Sequence, residues 1–140
     1  MQPQNSAVMH RILVVEDHPF QLIGLEMQLN QFGFFKLTPV LEMAEAQRLI
    51  EAGNRYDLLL CDQHLTDGYG MQLIEQAHAL RAIDYAILLS GIDGQSALLN
   101  MQAAAKARGL PLLACLNKPL NREAFLAALE PMLLGAESTR

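Results

Sequence analysis

No apolar run in the chain reaches the roughly 18 residues needed to cross a bilayer. The opening MQPQNSAVM has neither the basic segment nor the apolar core of a secretory signal, so the expected location is the cytoplasm. Cations are scarce: 10 Lys and Arg stand against 15 Asp and Glu, for a net charge of -5. They are also scattered, whereas nucleic acid and anionic membrane both require clustered positive charge, so neither is expected as a direct partner. There are only two cysteines, Cys61 and Cys115, each inside an apolar run. They read as buried reduced thiols rather than a disulfide framework. The four histidines, at 10, 18, 64 and 78, show no i,i+4 pairing or CxxC-like company, which argues against zinc. Internal repeats and low-complexity stretches are absent too.

What is present is enough for one domain with a real core: 140 residues, 51% of them hydrophobic. Short apolar runs alternate with stretches of helical periodicity, the pattern of parallel strands joined by crossover helices. The runs are Ile12 to Val15, Phe35 to Val40, Leu58 to Cys61, Ala86 to Leu89 and Leu112 to Leu116. Pro39 marks the second as an edge strand. Between them, Leu22, Leu25, Met27 and Leu29 make a first helix, and Met43, Ala46, Leu49 and Ile50 the face of a second. Met71, Ile74 and Ala77 make a third, Ala97 to Arg108 a fourth ending at Gly109, and Asn121 caps a fifth that buries Phe125, Leu126, Leu129 and Met132. The expected fold is α/β, a doubly wound five-stranded parallel sheet. Its domain spans 10–134, between a disordered tail over 1–9 and a tail or linker start over 135–140.

In such a sheet the residues that follow each strand meet at one edge. Here these are Glu16 and Asp17, then Asp62, then Ser90, then Lys118-Pro119. Taken singly, Asp62 could cap a turn, Asp17 could cap the helix opening at His18-Pro19, and Lys118 could be a solvated lysine. Together, in the segments VVEDHP, LLLCDQHLTDGYG, ILLSG and LNKPL, they resemble the response-regulator receiver domain of bacterial two-component signalling, over about residues 10 to 133. The resemblance implies the flavodoxin-like strand order 2-1-3-4-5. It implies Asp62 as phospho-acceptor from a sensor histidine kinase, and Mg²⁺ held by Glu16, Asp17, Asp62 and the backbone carbonyl of His64. Lys118 and Ser90 would contact the phosphoryl group. Such a domain is not an enzyme beyond slow self-dephosphorylation.

Rival readings are an aspartyl-phosphate phosphatase of the haloacid-dehalogenase kind, an FMN carrier and a non-phosphorylated pseudo-receiver. The first needs a second Asp where His64 stands, and Glu16-Asp17 would repel the phosphate of the second. Three departures from the family pattern stand out. Thr66 replaces a common proline, which leaves the loop after Asp62 less rigid. Cys115 replaces a switch aromatic, and the Ser90–Lys118 segment is longer by a turn or two. The long fourth helix, with the fifth strand and fifth helix, is a candidate homodimer face. GAESTR reads as the start of a linker, and VVEDHPFQ with the long fourth helix resembles receivers that precede an EAL-type cyclic-di-GMP phosphodiesterase.

Overall fold

A computed structural model of the protein describes residues 9–138. The strands are β1 (Arg11–Val15), β2 (Lys36–Val40), β3 (Tyr56–Asp62), the two-residue β4 (His64–Leu65) and β5 (Gly68–Tyr69), β6 (Ile83–Ser90) and β7 (Leu112–Asn117). The helices are α1 (Pro19–Gln31), α2 (Met43–Glu51), α3 (Gly70–Ala79), α4 (Gln95–Ala107), α5 (Arg122–Ala128) and α6 (Glu130–Ser138). All five long strands are parallel, in the order β2-β1-β3-β6-β7, which is the expected 2-1-3-4-5. Pro39 does lie on an edge strand.

Strand periodicity divides the core in two. Leu13, Val15, Leu59, Cys61, Ala86 and Leu88 face α2, α3 and α4. Ile12, Val14, Leu58, Leu60, Ile87 and Leu89 face α1, α5 and α6. Both sides are covered, so the central strands read as unbroken apolar runs rather than alternating ones. Both cysteines are buried free thiols.

Local chemistry sets the helix ends. Pro19 opens α1, where its missing N–H costs nothing. The Asn121 side chain accepts from the Ala124 amide at 2.9 Å and caps α5, as its position predicted. Gly109, at φ +72°, lets the chain leave α4 through the left-handed region. The expected fifth helix is two helices, because Pro131 cannot donate to the carbonyl four residues back, and the regular bonding lapses at Leu129. Helical backbone continues to Ser138, into the stretch expected as a tail; the N-terminal tail, Met9 apart, lies outside the described residues. On α1 the buried residues are Leu22, Leu25 and Leu29, while Met27, placed on that face from sequence, is 59% exposed.

One outer feature fixes α4 against the sheet. β7 is an edge strand, and its Cys115 amide donates to the Gln102 side-chain oxygen of α4 at 2.9 Å.

Gly70 is where α3 turns away beneath the end of β3. A Cβ there would lie 2.6 Å from the Asp62 carbonyl oxygen and 2.7 Å from Leu88 Cδ2. Gly24, within α1, has nothing within 4 Å of the same point. Urea unfolding should therefore show Gly70→Ala losing about 1–3 kcal/mol through overpacking. Gly24→Ala should instead gain about 0.5–1 kcal/mol from helix propensity.

Candidate functional site

The parallel register sets Val15 level with Cys61, and Cys61 with Leu88, so the residues after β1 and at the end of β3 arrive at the same height. Glu16 continues the line of β1, its amide bonding the Val40 carbonyl at 3.2 Å. Its side chain is almost fully buried, as is that of Asp62. Lys118 reaches them from beyond β7, its own amide held by the Ser90 carbonyl at 2.9 Å. The Lys118 ammonium donates to Glu16 Oε1 at 2.7 Å, to Asp62 Oδ2 at 2.9 Å and to Gln21 Oε1 at 3.0 Å, which uses all three of its hydrogens. Burial pushes the Glu16 carboxyl above its ordinary range, even though Lys118 and the His18 amide pull it down. Burial also acts to lower Lys118, but the bonds to Glu16 and Asp62 win and hold the ammonium charged.

Asp17 completes a group of three carboxylates whose oxygens lie within 4.8 Å of one another. One ammonium, paired with two of the three, leaves the cluster negative and able to hold a cation. The cluster lines a cleft of about 360 Å³ together with Gln21, His64, Gly91 and Lys118. Asp17 does not cap α1, as it could have done; its Oδ2 accepts from both the amide (2.7 Å) and the hydroxyl (2.6 Å) of Thr66. Burial acts to raise the Asp17 pKa, but the Thr66 bonds outweigh it and leave the carboxyl below its ordinary 3.8.

The stretch after Asp62 is a hairpin, with His64 opposite Tyr69 and Leu65 opposite Gly68. Its turn residues point opposite ways. Thr66 grips Asp17, while Asp67 accepts from the Met43 and Ala44 amides, both at 3.1 Å, and so satisfies the first turn of α2. Glu42, at the N-cap of that helix, makes no side-chain cap bond of its own. The loop that lacks its usual proline is thus anchored on both sides. A proline at position 66 would have no N–H to give Asp17.

Ser90 is buried at the end of β6, and its hydroxyl is bonded to Asp93. It donates to Asp93 Oδ2 at 2.7 Å and accepts from the Asp93 and Ile92 amides at 3.0 and 3.3 Å. The same Asp93 oxygen is 2.7 Å from His64 Nε2. The Ser90 hydroxyl, and then His64, hold the Asp93 carboxyl below its ordinary range. The His64 amide in turn contacts Asp62 Oδ1 at 3.3 Å. Sequence reasoning missed Thr66, Asp67 and Asp93. Thr66 stood out only as a departure from proline, and Asp93 left the signal of an acidic residue three positions after a strand-end serine, a spacing that favours local side-chain-to-backbone bonds. At the switch position, burial and then Asp93 push the Cys115 thiol up to about 11, so it stays neutral.

A strand-end acidic cluster bridged by a lysine on a doubly wound sheet defines a phosphoryl-accepting signalling domain rather than a nucleotide or flavin carrier. The sequence profile of the response regulator receiver domain matches residues 12–130, and the chain belongs to that family. It is a receiver domain of a two-component response regulator. The chain is 30% identical over 86 residues to the two-component response regulator ORR26 of Oryza sativa subsp. japonica, covering 61% of this chain and 14% of that protein. It spans 16% of a second curated relative, the two-component response regulator ARR11 of Arabidopsis thaliana, at 29% identity. Among solved structures, a response regulator receiver domain protein from Clostridium thermocellum aligns with TM-score 0.74 at 16% identity, over 94% of this chain and 100% of that one. The N-terminal domain of a response regulator/sensory box/GGDEF three-domain protein from Carboxydothermus hydrogenoformans gives 0.72 at 22%, over 92% and 98%. Both structural likenesses are statements about fold. No described helix is long and apolar enough to cross a membrane.

The Thr66 grip is testable by titration. Because the Asp17 pKa is lowered in the fold, its bonds stabilise the protein above about pH 3.8 and are lost as the pH falls through the folded value. Thr66→Val removes the hydroxyl and keeps the amide. It should raise the Asp17 pKa measured by carboxyl-carbon NMR and cost about 1 kcal/mol at pH 7.

Proposed function

We propose that Asp62 is the phospho-acceptor and that Glu16, Asp17 and Asp62, with the backbone carbonyl of His64, hold Mg²⁺. One observation carries this reading: a buried Asp62 carboxylate, 2.9 Å from the Lys118 ammonium, sits in a three-carboxylate cluster that opens into a cleft. The donor set fits the ion, since clustered carboxylate oxygens are what a hard dication prefers. When bound, the ion would supply charge neutralisation for the transferring phosphoryl oxygens and for the clustered carboxylates.

The chain's own groups do the rest. The donor is a phosphohistidine of a sensor histidine kinase. An Asp62 oxygen forms the new O–P bond while the N–P bond breaks, and the leaving imidazole nitrogen keeps the electron pair. Glu16 and Gln21 hold the Lys118 ammonium beside Asp62, placing its charge where the phosphoryl group arrives. Ser90 is the hydroxyl that donates to the phosphoryl oxygen once it turns inward. The cluster acts by positioning and screening, and the domain is an acceptor rather than a turnover enzyme.

Signal leaves through the loop after Ser90 and α4, where Ile92 and Leu99 are exposed apolar residues on a candidate homodimer face with β7 and α5. Both plant relatives are far longer than the matched segment, which supports a role as the input part of a larger regulator. An EAL-type cyclic-di-GMP phosphodiesterase output is the version proposed from VVEDHPFQ and the long fourth helix.

Mass spectrometry after acetyl phosphate with Mg²⁺ should show one added phosphoryl group on the wild type and none on Asp62→Asn; modification that survives in Asp62→Asn rejects the acceptor. Lys118→Ala should still fold, losing about 1–3 kcal/mol for acceptors left without a partner. It should also respond poorly to phosphorylation, read as amide shifts with and without beryllofluoride.

A further inference from the structure

A hydroxyl has a single proton, and that of Ser90 is already committed in this structure to Asp93 at 2.7 Å. The oxygen's acceptor capacity is committed as well, to the Ile92 and Asp93 amides. To donate to a phosphoryl oxygen on Asp62, Ser90 must first release Asp93. Asp93 is in turn held from the far wall of the cleft, where His64, two residues after Asp62, places Nε2 at 2.7 Å from the same carboxylate oxygen. The contact therefore ties the segment after β3 to the segment between β6 and α4. Asp93 lies two residues before the first residue of α4, so the bond joins Ser90 to the segment that leads into that helix.

We propose that Asp93 is a latch on the resting state. It takes the Ser90 proton that the phosphoryl group needs, is itself held by His64, and so sets the fraction of molecules competent to accept phosphoryl. This rests on the phospho-acceptor reading of Asp62. Asp93 is a positioning residue: it acts through Ser90 and does not touch the reacting atoms. Since only the released conformation binds the phosphoryl group well, apparent affinity scales with the released fraction. A dianionic phosphoryl group also repels the Asp93 carboxylate, so arrival of the ligand and opening of the latch favour one another.

The test uses the full chain with Mg²⁺ and beryllofluoride, its affinity followed by NMR. Wild type is compared with Asp93→Ala, Asp93→Asn, His64→Ala and each Asp93 variant combined with Ser90→Ala. Asp93→Ala should bind about tenfold more tightly, the effect of losing one charge-assisted hydrogen bond. Asp93→Asn keeps an oxygen for the Ser90 proton and should stay closer to wild type. His64→Ala, which leaves the backbone carbonyl in place, should show a smaller gain of the same sign. In the Ser90→Ala background, the advantage of Ala over Asn at position 93 should vanish. Relief of repulsion alone would give Ala and Asn equal gains that survive without the Ser90 hydroxyl, and that pattern overturns the latch. So does unchanged or weaker binding by Asp93→Ala when the wild type binds. A wild type that takes up no beryllofluoride overturns the phospho-acceptor reading itself, and the latch with it.

Discussion

The Lys118 ammonium, shared between two buried carboxylates, is the contact on which the rest of the site depends. Glu16 is 2% exposed and Asp62 6%, and two such charges side by side in a protein interior are costly unless a cation stands between them. Lys118 reaches them from the far edge of the sheet, across the end of β6, so a single ion-pair network joins the ends of three strands. It can do so because Ser90 holds the Lys118 backbone and Gln21 takes its third hydrogen. The network leaves charge unbalanced: one ammonium stands against three carboxylates, so the cleft keeps a negative field.

Around this network the polar side chains link neighbouring loops. Thr66 joins the turn after Asp62 to the loop after β1, Asp67 joins the same turn to the start of α2, and Asp93 joins the end of β6 to His64. Each bond uses a carboxylate, and each joins segments far apart in sequence or across the cleft. The loops around Asp62 are thus tied to one another in three directions, toward β1, α2 and α4.

Much of this was legible in the sequence, for a definite reason. Buried parallel strands demand continuous apolar runs, so Ile12 to Val15 and Leu58 to Cys61 stood out, and the strand-end residues followed from them. The gripped carboxylates were legible only as types. That Asp17 serves Thr66, 49 positions away, depends on how two loops meet, and no periodicity encodes it. The β4–β5 hairpin has two residues per strand, too few to show alternation. The break at Leu129 was readable in principle from Pro131, but the buried Phe125, Leu129 and Met132 run through it at helical spacing and conceal it. The bonds that anchor the proline-free loop, Thr66 to Asp17 and Asp67 to α2, likewise depend on how separate loops meet.

The bond between Gln102 and the Cys115 amide bears on how the molecule behaves in a crowd. An outermost parallel strand offers its free amides as a template on which a second chain could add a strand of its own. Here one such group, the Cys115 amide, is already satisfied from within by Gln102 of α4. The same glutamine that holds α4 thus also removes one edge amide from the set that an added strand could use.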